Sequence, residues 1–215
     1  MCGRFSLTQR LEILERMFRA KARSNLALPR YNVAPTQRVV VITNDEPDQL
    51  KEIEWGFTVF PTDGSPPRKL VNAKAETLQE RPAYREAFAS RRCLILADGF
   101  YEWESIAGKR YAKYFRLRDR APFAFAGLYD EENGARRVVI ITTEANELVS
   151  PVHNRMPVIL REPQRWIEPE DAGSLLAPYD PELMESFTVD PAVNSPENDT
   201  ELCISPYEPP QLPLF

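Results

Sequence analysis

Phe123-Ala-Phe-Ala-Gly-Leu-Tyr-Asp-Glu-Glu-Asn-Gly-Ala-Arg-Arg-Val-Val-Ile-Ile-Thr-Thr143 is the stretch that decides the fold. Two apolar runs of strand length, Phe123 to Leu128 and Arg137 to Thr143, flank Glu131-Glu-Asn-Gly134, a good hairpin turn. Upstream, Cys93 to Ala97 and Tyr111 to Leu117 read as further strands, as do Arg38 to Thr43, Ile53 to Trp55 and Leu70 to Ala73, with a loop at Asp63-Gly-Ser-Pro-Pro67. Pro157 to Leu160 adds one more. Helices are fewer. Thr8 is placed to cap a first one, with Leu11, Leu14 and Phe18 at helical spacing, and Pro82 suits the first turn of a second that carries Tyr84 and Phe88. Short helical pieces fall near Trp166 and Ser174.

Strands in consecutive runs favour a single α+β domain built on a curved, barrel-like, mainly antiparallel sheet with a few peripheral helices, rather than a doubly wound parallel sheet. The domain is expected over residues 1–204. Residues 205–215, which hold four prolines, read as an extended tail.

Composition narrows the function classes. The chain has 215 residues, 43% hydrophobic and 27% charged, enough to bury a core. Runs such as Cys93 to Ala97 and Val138 to Ile141 are far too short to span a bilayer, and the amino-terminal region lacks the pattern of a signal peptide. A cytoplasmic protein, likewise without a membrane partner, is the expectation. A net charge of −5 argues against a basic coat for duplex DNA. Charge is nonetheless segregated: Arg81, Arg85, Arg91 and Arg92 cluster, offset by Glu86, and much of the acid lies between Glu162 and Glu208. Cys2, Cys93 and Cys203 are too few and too scattered for a zinc site, and with one histidine no multi-histidine metal site is possible. A disulfide framework is not expected, and Cys93 and Cys203 read as core thiols.

Cys2 differs because it follows the initiator methionine. A methionine aminopeptidase acts when the second residue is small, and its product here would be an N-terminal cysteine, a 1,2-aminothiol. An α-amino group has a pKa of about 7.7–8.0 against about 10.4 for lysine, so near neutral pH far more of it is unprotonated. It is therefore the better Schiff-base nucleophile toward an aldehyde, and the adjacent thiol can close a five-membered thiazolidine on the imine carbon. Three further signals accompany it. His153, in Ser150-Pro-Val-His-Asn-Arg-Met-Pro157, sits in a proline-flanked irregular segment and titrates near neutrality. Glu102, in Asp98-Gly-Phe-Tyr-Glu-Trp-Glu104, lies at a strand's end among aromatics, where an apolar surround would raise its pKa and fit it for general acid work. Tyr101 and Trp103 read either as core or as base-stacking platforms. In Val71-Asn-Ala-Lys-Ala-Glu-Thr77, alternation puts Asn72, Lys74 and Glu76 on one strand face.

Met1-Cys-Gly-Arg-Phe5, Tyr31-Asn-Val-Ala-Pro-Thr-Gln37, Glu54-Trp-Gly56, Asn72-Ala-Lys-Ala-Glu-Thr77, Gly99-Phe-Tyr-Glu-Trp103 and His153-Asn-Arg-Met-Pro157 occur in this order. In these motifs, spread from residue 1 to about 160, the chain closely resembles the SOS-response-associated peptidase (SRAP) family. The resemblance implies a monomeric, barrel-like domain that crosslinks covalently to abasic sites in single-stranded DNA without cofactor or metal. It implies that Cys2 is the nucleophile, that Asn72 holds the abasic sugar and nucleophile, and that Glu102 assists proton transfer. His153 would act on sugar ring opening and crosslink reversal, and Thr142 would hydrogen-bond near the aldehyde. Arg4, Lys74 and Arg155 are the implied phosphate binders, Pro35 and Trp55 would border the bent strand, and Arg85 is a looser addition. Lys74 stands where the family commonly has arginine, losing bidentate phosphate geometry, and Phe57-Thr-Val-Phe60 replaces the usual Leu-Ile-Pro-Trp, with Phe60 left to stack on a base. Two other readings of the same residues stay open: a cysteine (auto)peptidase using Cys2 and His153, and a non-covalent single-strand binder.

Overall fold

The computed structural model describes residues 2–59, 65–106, 108–132, 134–168 and 172–209. Its strands and main helices run β1 (Phe5–Leu7), α1 (Leu11–Phe18), β2 (Lys21–Ala22), β3 (Arg30–Val33), β4 (Arg38–Thr43), β5 (Glu46–Trp55), β6 (Phe57–Val59), β7 (Arg68–Leu70) and β8 (Asn72–Lys74). They continue with α2 (Pro82–Ser90), β9 (Arg92–Ala97), β10 (Gly99–Ile106), β11 (Lys109–Leu117), β12 (Phe123–Glu132), β13 (Ala135–Glu144), β14 (Arg155–Pro157), α3 (Pro163–Ile167) and β15 (Met184–Thr188).

The hairpin read from the sequence forms as β12 and β13, paired antiparallel from Gly127↔Ile140 to Glu132↔Ala135. Asn133 of its turn, the residues 61–64 of the loop before β7, Phe60 and the end of the tail lie outside the described residues. Antiparallel ladders then join β12 to β9, β9 to β4 and β4 to β5. A parallel pairing of β5 with β13 (Arg137↔Glu54, Val138↔Trp55) returns the sheet to its starting strand. These five strands therefore form a closed ring, which removes unpaired edges. A second antiparallel sheet, in the order β15-β11-β10-β1-β3, packs against it.

Every residue of β9 is buried, and alternation explains why its apolar run is unbroken. Cys93, Ile95 and Ala97 face a cluster shared with Phe5, Phe100, Phe115 and Phe125, whereas Leu94 and Leu96 face Leu14 and Phe18 of α1 and Trp166 of α3. A strand covered on both faces needs apolar residues at both parities. The outer face of the second sheet, with Tyr101, Ala112 and Tyr114, is covered by a third cluster that includes Val193 and Cys203.

Several local expectations change. Thr8 caps no helix: α1 starts after Arg10 with no side-chain cap, because the Thr8 N–H and hydroxyl both donate to Asp98 Oδ2 at 2.6 and 2.7 Å. Glu102 does not end the strand Cys93 to Ala97 but lies inside the next one, β10, since Gly99 lets the chain turn and continue. A Cβ at Gly99 would lie 2.2 Å from the Tyr114 ring, so only glycine fits. Glu76 leaves the expected strand for a single 3-10 turn, Ala75–Thr77. The predicted strand Pro157 to Leu160 begins earlier, at Arg155, and beyond Pro157 leaves only a bridge from Ile159 to Phe125. Part of the tail is tied down, since the Tyr207 N–H donates to the Thr188 carbonyl at 2.9 Å. Pro82 does occupy the first turn of α2, and Cys93 and Cys203 are core thiols.

Candidate functional site

The amino-terminal segment is built into the structure rather than frayed. β1 pairs with β10 (Phe5↔Phe100, Ser6↔Gly99), and the Tyr101 N–H donates to the Arg4 carbonyl at 3.0 Å. Continuing that register brings Gly3 alongside Glu102. A buried polar network holds β1 in place: the Ser6 hydroxyl donates to Asp98 Oδ1 at 2.6 Å and lies 2.8 Å from the Tyr114 hydroxyl. The Phe5 ring packs 5.3 Å from Trp55 and edge-on to Phe125. Sequence reading quoted Asp98 within a motif but assigned it nothing; its role is to lock the strand that carries Cys2.

On the opposite side, β13 gathers the remaining residues. Its residues Ile140 to Thr142 pair parallel with Asn72 to Lys74 on one edge, and Thr142 to Glu144 pair with Pro157 to Arg155 on the other. The two halves meet where Asn72 Nδ2 donates to the Cys2 carbonyl at 2.8 Å. Asn72 Oδ1 is buried and accepts no hydrogen bond from the described residues. The Tyr84 hydroxyl of α2 donates to the Asn72 carbonyl, steadying β8 from behind. Thr142 is buried, its hydroxyl directed at the Ala73 carbonyl.

Cys2 and Glu102 are 0% and 5% exposed. Burial raises the Cys2 thiol far above its ordinary pKa, and the Glu102 charge raises it further, so it is held as S–H. Burial likewise pushes Glu102 up to about 7, partly offset by the positive amino terminus and Arg110. At that value it can give or take a proton near neutrality.

His153 sits in a loop that Asn146 organises, and sequence reading passed Asn146 over. The buried Asn146 Oδ1 accepts the Val149 N–H at 3.0 Å while its Nδ2 donates to the Tyr179 carbonyl at 2.7 Å. The Val149 carbonyl in turn accepts the His153 N–H. The Arg155 N–H donates to His153 Nδ1 at 3.0 Å, so a neutral ring carries its proton on Nε2. Burial lowers the His153 pKa, with the positive amino terminus contributing, which favours that neutral form.

The expected DNA-contact residues divide. Lys74 and Arg85 are exposed, and Pro35 is half-buried on a turn tied to the Trp55 backbone by the Thr36 N–H. The Trp55 side chain borders no surface: it is fully buried, with Nε1 donating to the Val71 carbonyl at 2.8 Å. Phe57, also buried, packs beside Tyr84, while Phe60 lies outside the described residues. Arg155 is engaged, its two terminal nitrogens donating to both oxygens of Glu76 at 2.7 and 2.8 Å and one of them also to the Thr142 carbonyl. Arg4 donates to Asn32 Oδ1 and to the Val193 carbonyl. Among the described residues no group of three or more His, Cys, Asp or Glu could hold a metal ion, and no helix is long and apolar enough to cross a membrane.

Comparison with known proteins adds a family profile described as SOS response associated peptidase (SRAP), matched by residues 1–196. A Bacillus subtilis protein named abasic site processing protein YoqW is 38% identical, over 93% of this chain and 97% of its own length. The Escherichia coli abasic site processing protein YedK is 26% identical, over 80% of this chain and 82% of its own length. A crystal structure of a Bacteroides thetaiotaomicron protein superposes with a TM-score of 0.81, covering 96% of this chain and all of that one at 22% identity, a likeness of fold.

Proposed function

This chain belongs to the SOS response associated peptidase (SRAP) family, and on that premise we propose that it processes abasic sites by covalent capture in single-stranded DNA through Cys2. The observation that carries the reading is the Asn72 bridge. One end of its amide fixes the Cys2 carbonyl, and the other is a buried acceptor without a donor among the described residues. A buried acceptor left unmatched costs free energy, and an amine released at Cys2 or a sugar hydroxyl would satisfy it.

The residues divide the chemistry. Abasic deoxyribose must open from hemiacetal to aldehyde, losing its anomeric hydroxyl proton and gaining one on the ring oxygen. Glu102 as carboxylate takes the first and returns it to the ring oxygen, which His153 steadies by a hydrogen bond donated from Nε2–H. Once Met1 is removed, the Cys2 amine adds to the aldehyde carbon. Loss of water, with Glu102 as acid, leaves the imine. The thiol then adds across C=N: the C–S bond forms, the π pair goes to nitrogen, and the sulfur proton reaches that nitrogen through Glu102. The high thiol pKa suits this order, because the amine attacks first and the sulfur closes the ring. Exposed Lys74 and Arg85 and the turn at Pro35 supply contacts to the strand, and single strands fit because the sugar must leave any stack.

The test is an abasic single-stranded oligonucleotide incubated with the mature protein, beside an undamaged strand and a generic peptide. A heat-stable adduct is expected with the abasic strand alone, at the mass of chain lacking Met1 plus oligonucleotide minus one water. Peptide turnover without adduct, or retention of Met1 in an active protein, overturns the reading.

A further inference from the structure

β13 carries two threonines in succession, and alternation sends their side chains to opposite faces of the sheet. The Thr142 hydroxyl is directed at the Ala73 carbonyl and at Arg155. Thr143 has the parity of Val139 and Ile141, which face the cluster that holds Leu78 and Tyr84. On that side it borders an open groove of about 660 Å³, with Glu80, Phe88 of α2 and Leu176 among its other walls. A groove of this volume falls in the range of small-molecule sites.

Three features of the groove point to one kind of guest. Its floor is apolar: Leu78 is buried, Leu176 packs against the same cluster, and the Phe88 ring lies 6.1 Å from that of Trp166. The charged residues that line it are all carboxylates, Glu76, Glu80 and Glu144. Glu76 is compensated by Arg155 and by the nearby charge of Lys74. Glu80 and Glu144 are exposed and form no ion pair among the described residues. The third feature is Thr143 itself. It is only 4% exposed, yet its hydroxyl makes no hydrogen bond among the described residues, whereas a buried hydroxyl normally finds a partner. A phosphate would be repelled by the two uncompensated carboxylates. An apolar guest would leave them and the hydroxyl unmatched. The carboxylates do not close on a point cation either, since among the described residues no such group could hold a metal ion. A flexible methylene chain bearing ammonium groups satisfies all three features. Its methylenes cover the floor, and its N–H groups donate to the carboxylate and hydroxyl oxygens.

We propose that this groove binds an aliphatic polyamine, with Glu80, Glu144 and the Thr143 hydroxyl as its hydrogen-bond acceptors. Because Thr142 and Thr143 face apart, the guest lies across β13 from Thr142 and takes no part in the chemistry at Cys2.

The experiment is isothermal titration calorimetry of the full chain with spermidine at fixed ionic strength, beside magnesium chloride as a compact dication. The expected result is a saturable heat at one spermidine per chain and none with magnesium. Thr143→Val keeps the side-chain shape and removes the hydroxyl; it should weaken spermidine by about tenfold or more. Glu80→Gln and Glu144→Gln should each weaken it severalfold. Glu12→Gln, which removes an exposed carboxylate from α1, should bind as wild type does. No saturable heat with spermidine, magnesium binding as tightly, wild-type affinity in Thr143→Val, or an equal loss in Glu12→Gln overturns the site. Should Thr143→Val fail to fold, the two exposed glutamate variants decide, and wild-type affinity in both overturns it.

Discussion

Cys2 and Cys93 are both completely buried, and burial drives both thiols far above their ordinary pKa. They belong to one apolar cluster, yet their surroundings differ. For Cys93 burial is the cause that raises the thiol: its sulfur fills the space opposite Gly127, where an added Cβ would lie 2.8 Å away. At Cys2 a carboxylate, an amide and a backbone carbonyl converge, and the electrostatic balance includes Glu102, the Arg4 carbonyl and the amino terminus. Burial alone makes a cysteine inert. A site arises where the same burial surrounds groups that can move protons.

The largest expected effect tests that contrast directly. Cys2→Ser keeps the amine and loses ring closure, so heat-stable adduct should fall to background while borohydride still traps an imine. Cys93→Ala should retain full adduct formation and instead cost about 1–2 kcal/mol of stability, read by chemical denaturation. If Cys93→Ala abolished the adduct in a folded protein, the two regions would not be separable.

Glu102 sharpens the comparison through pH. With a folded value of about 7 against an ordinary 4.5, the rate of adduct formation should change through pH 7 as the carboxyl ionises. Glu102→Gln should slow capture roughly 100-fold or more and erase that inflection. Stability carries the opposite signature. Between about 4.5 and 7 the unfolded chain has released this proton and the folded chain retains it, so stability falls as pH rises, by at most about 1.4 kcal/mol per unit. Glu102→Gln should therefore be more stable than wild type above pH 7; equal stability there would remove the burial argument.

Asn146→Ala, which cuts the ties of the His153 loop to Val149 and Tyr179, should cost about 1–3 kcal/mol and slow sugar opening more than strand binding. The smallest effect concerns Glu76. Its carboxylate occupies the Arg155 fork that a phosphate would use, so Glu76→Gln should raise affinity for single strands a few-fold at low salt, with the gain fading as salt screens it. No gain would mean that Arg155 serves only to hold the Thr142 and His153 segment.

Strand content, the hairpin at β12 and β13 and the barrel-like class were legible because period and apolar run length are local properties of the chain. Cys2, Asn72, Glu102 and His153 were legible as motifs in order. Their assembly was not, since the Cys2–Asn72 bond joins residues 70 apart and the Arg4–Val193 bond residues 189 apart. Thr8 looked like a helix cap because a threonine at that spacing satisfies a local rule; Asp98, 90 residues away, outcompeted the helix for it. Trp55 and Arg155 carry surface-binding chemistry in their side chains, but sheet closure buried one and Glu76 captured the other. Residue type dictates which interactions a side chain can make. Pairing register and sheet packing, which bring distant residues together, decide which of them it does make.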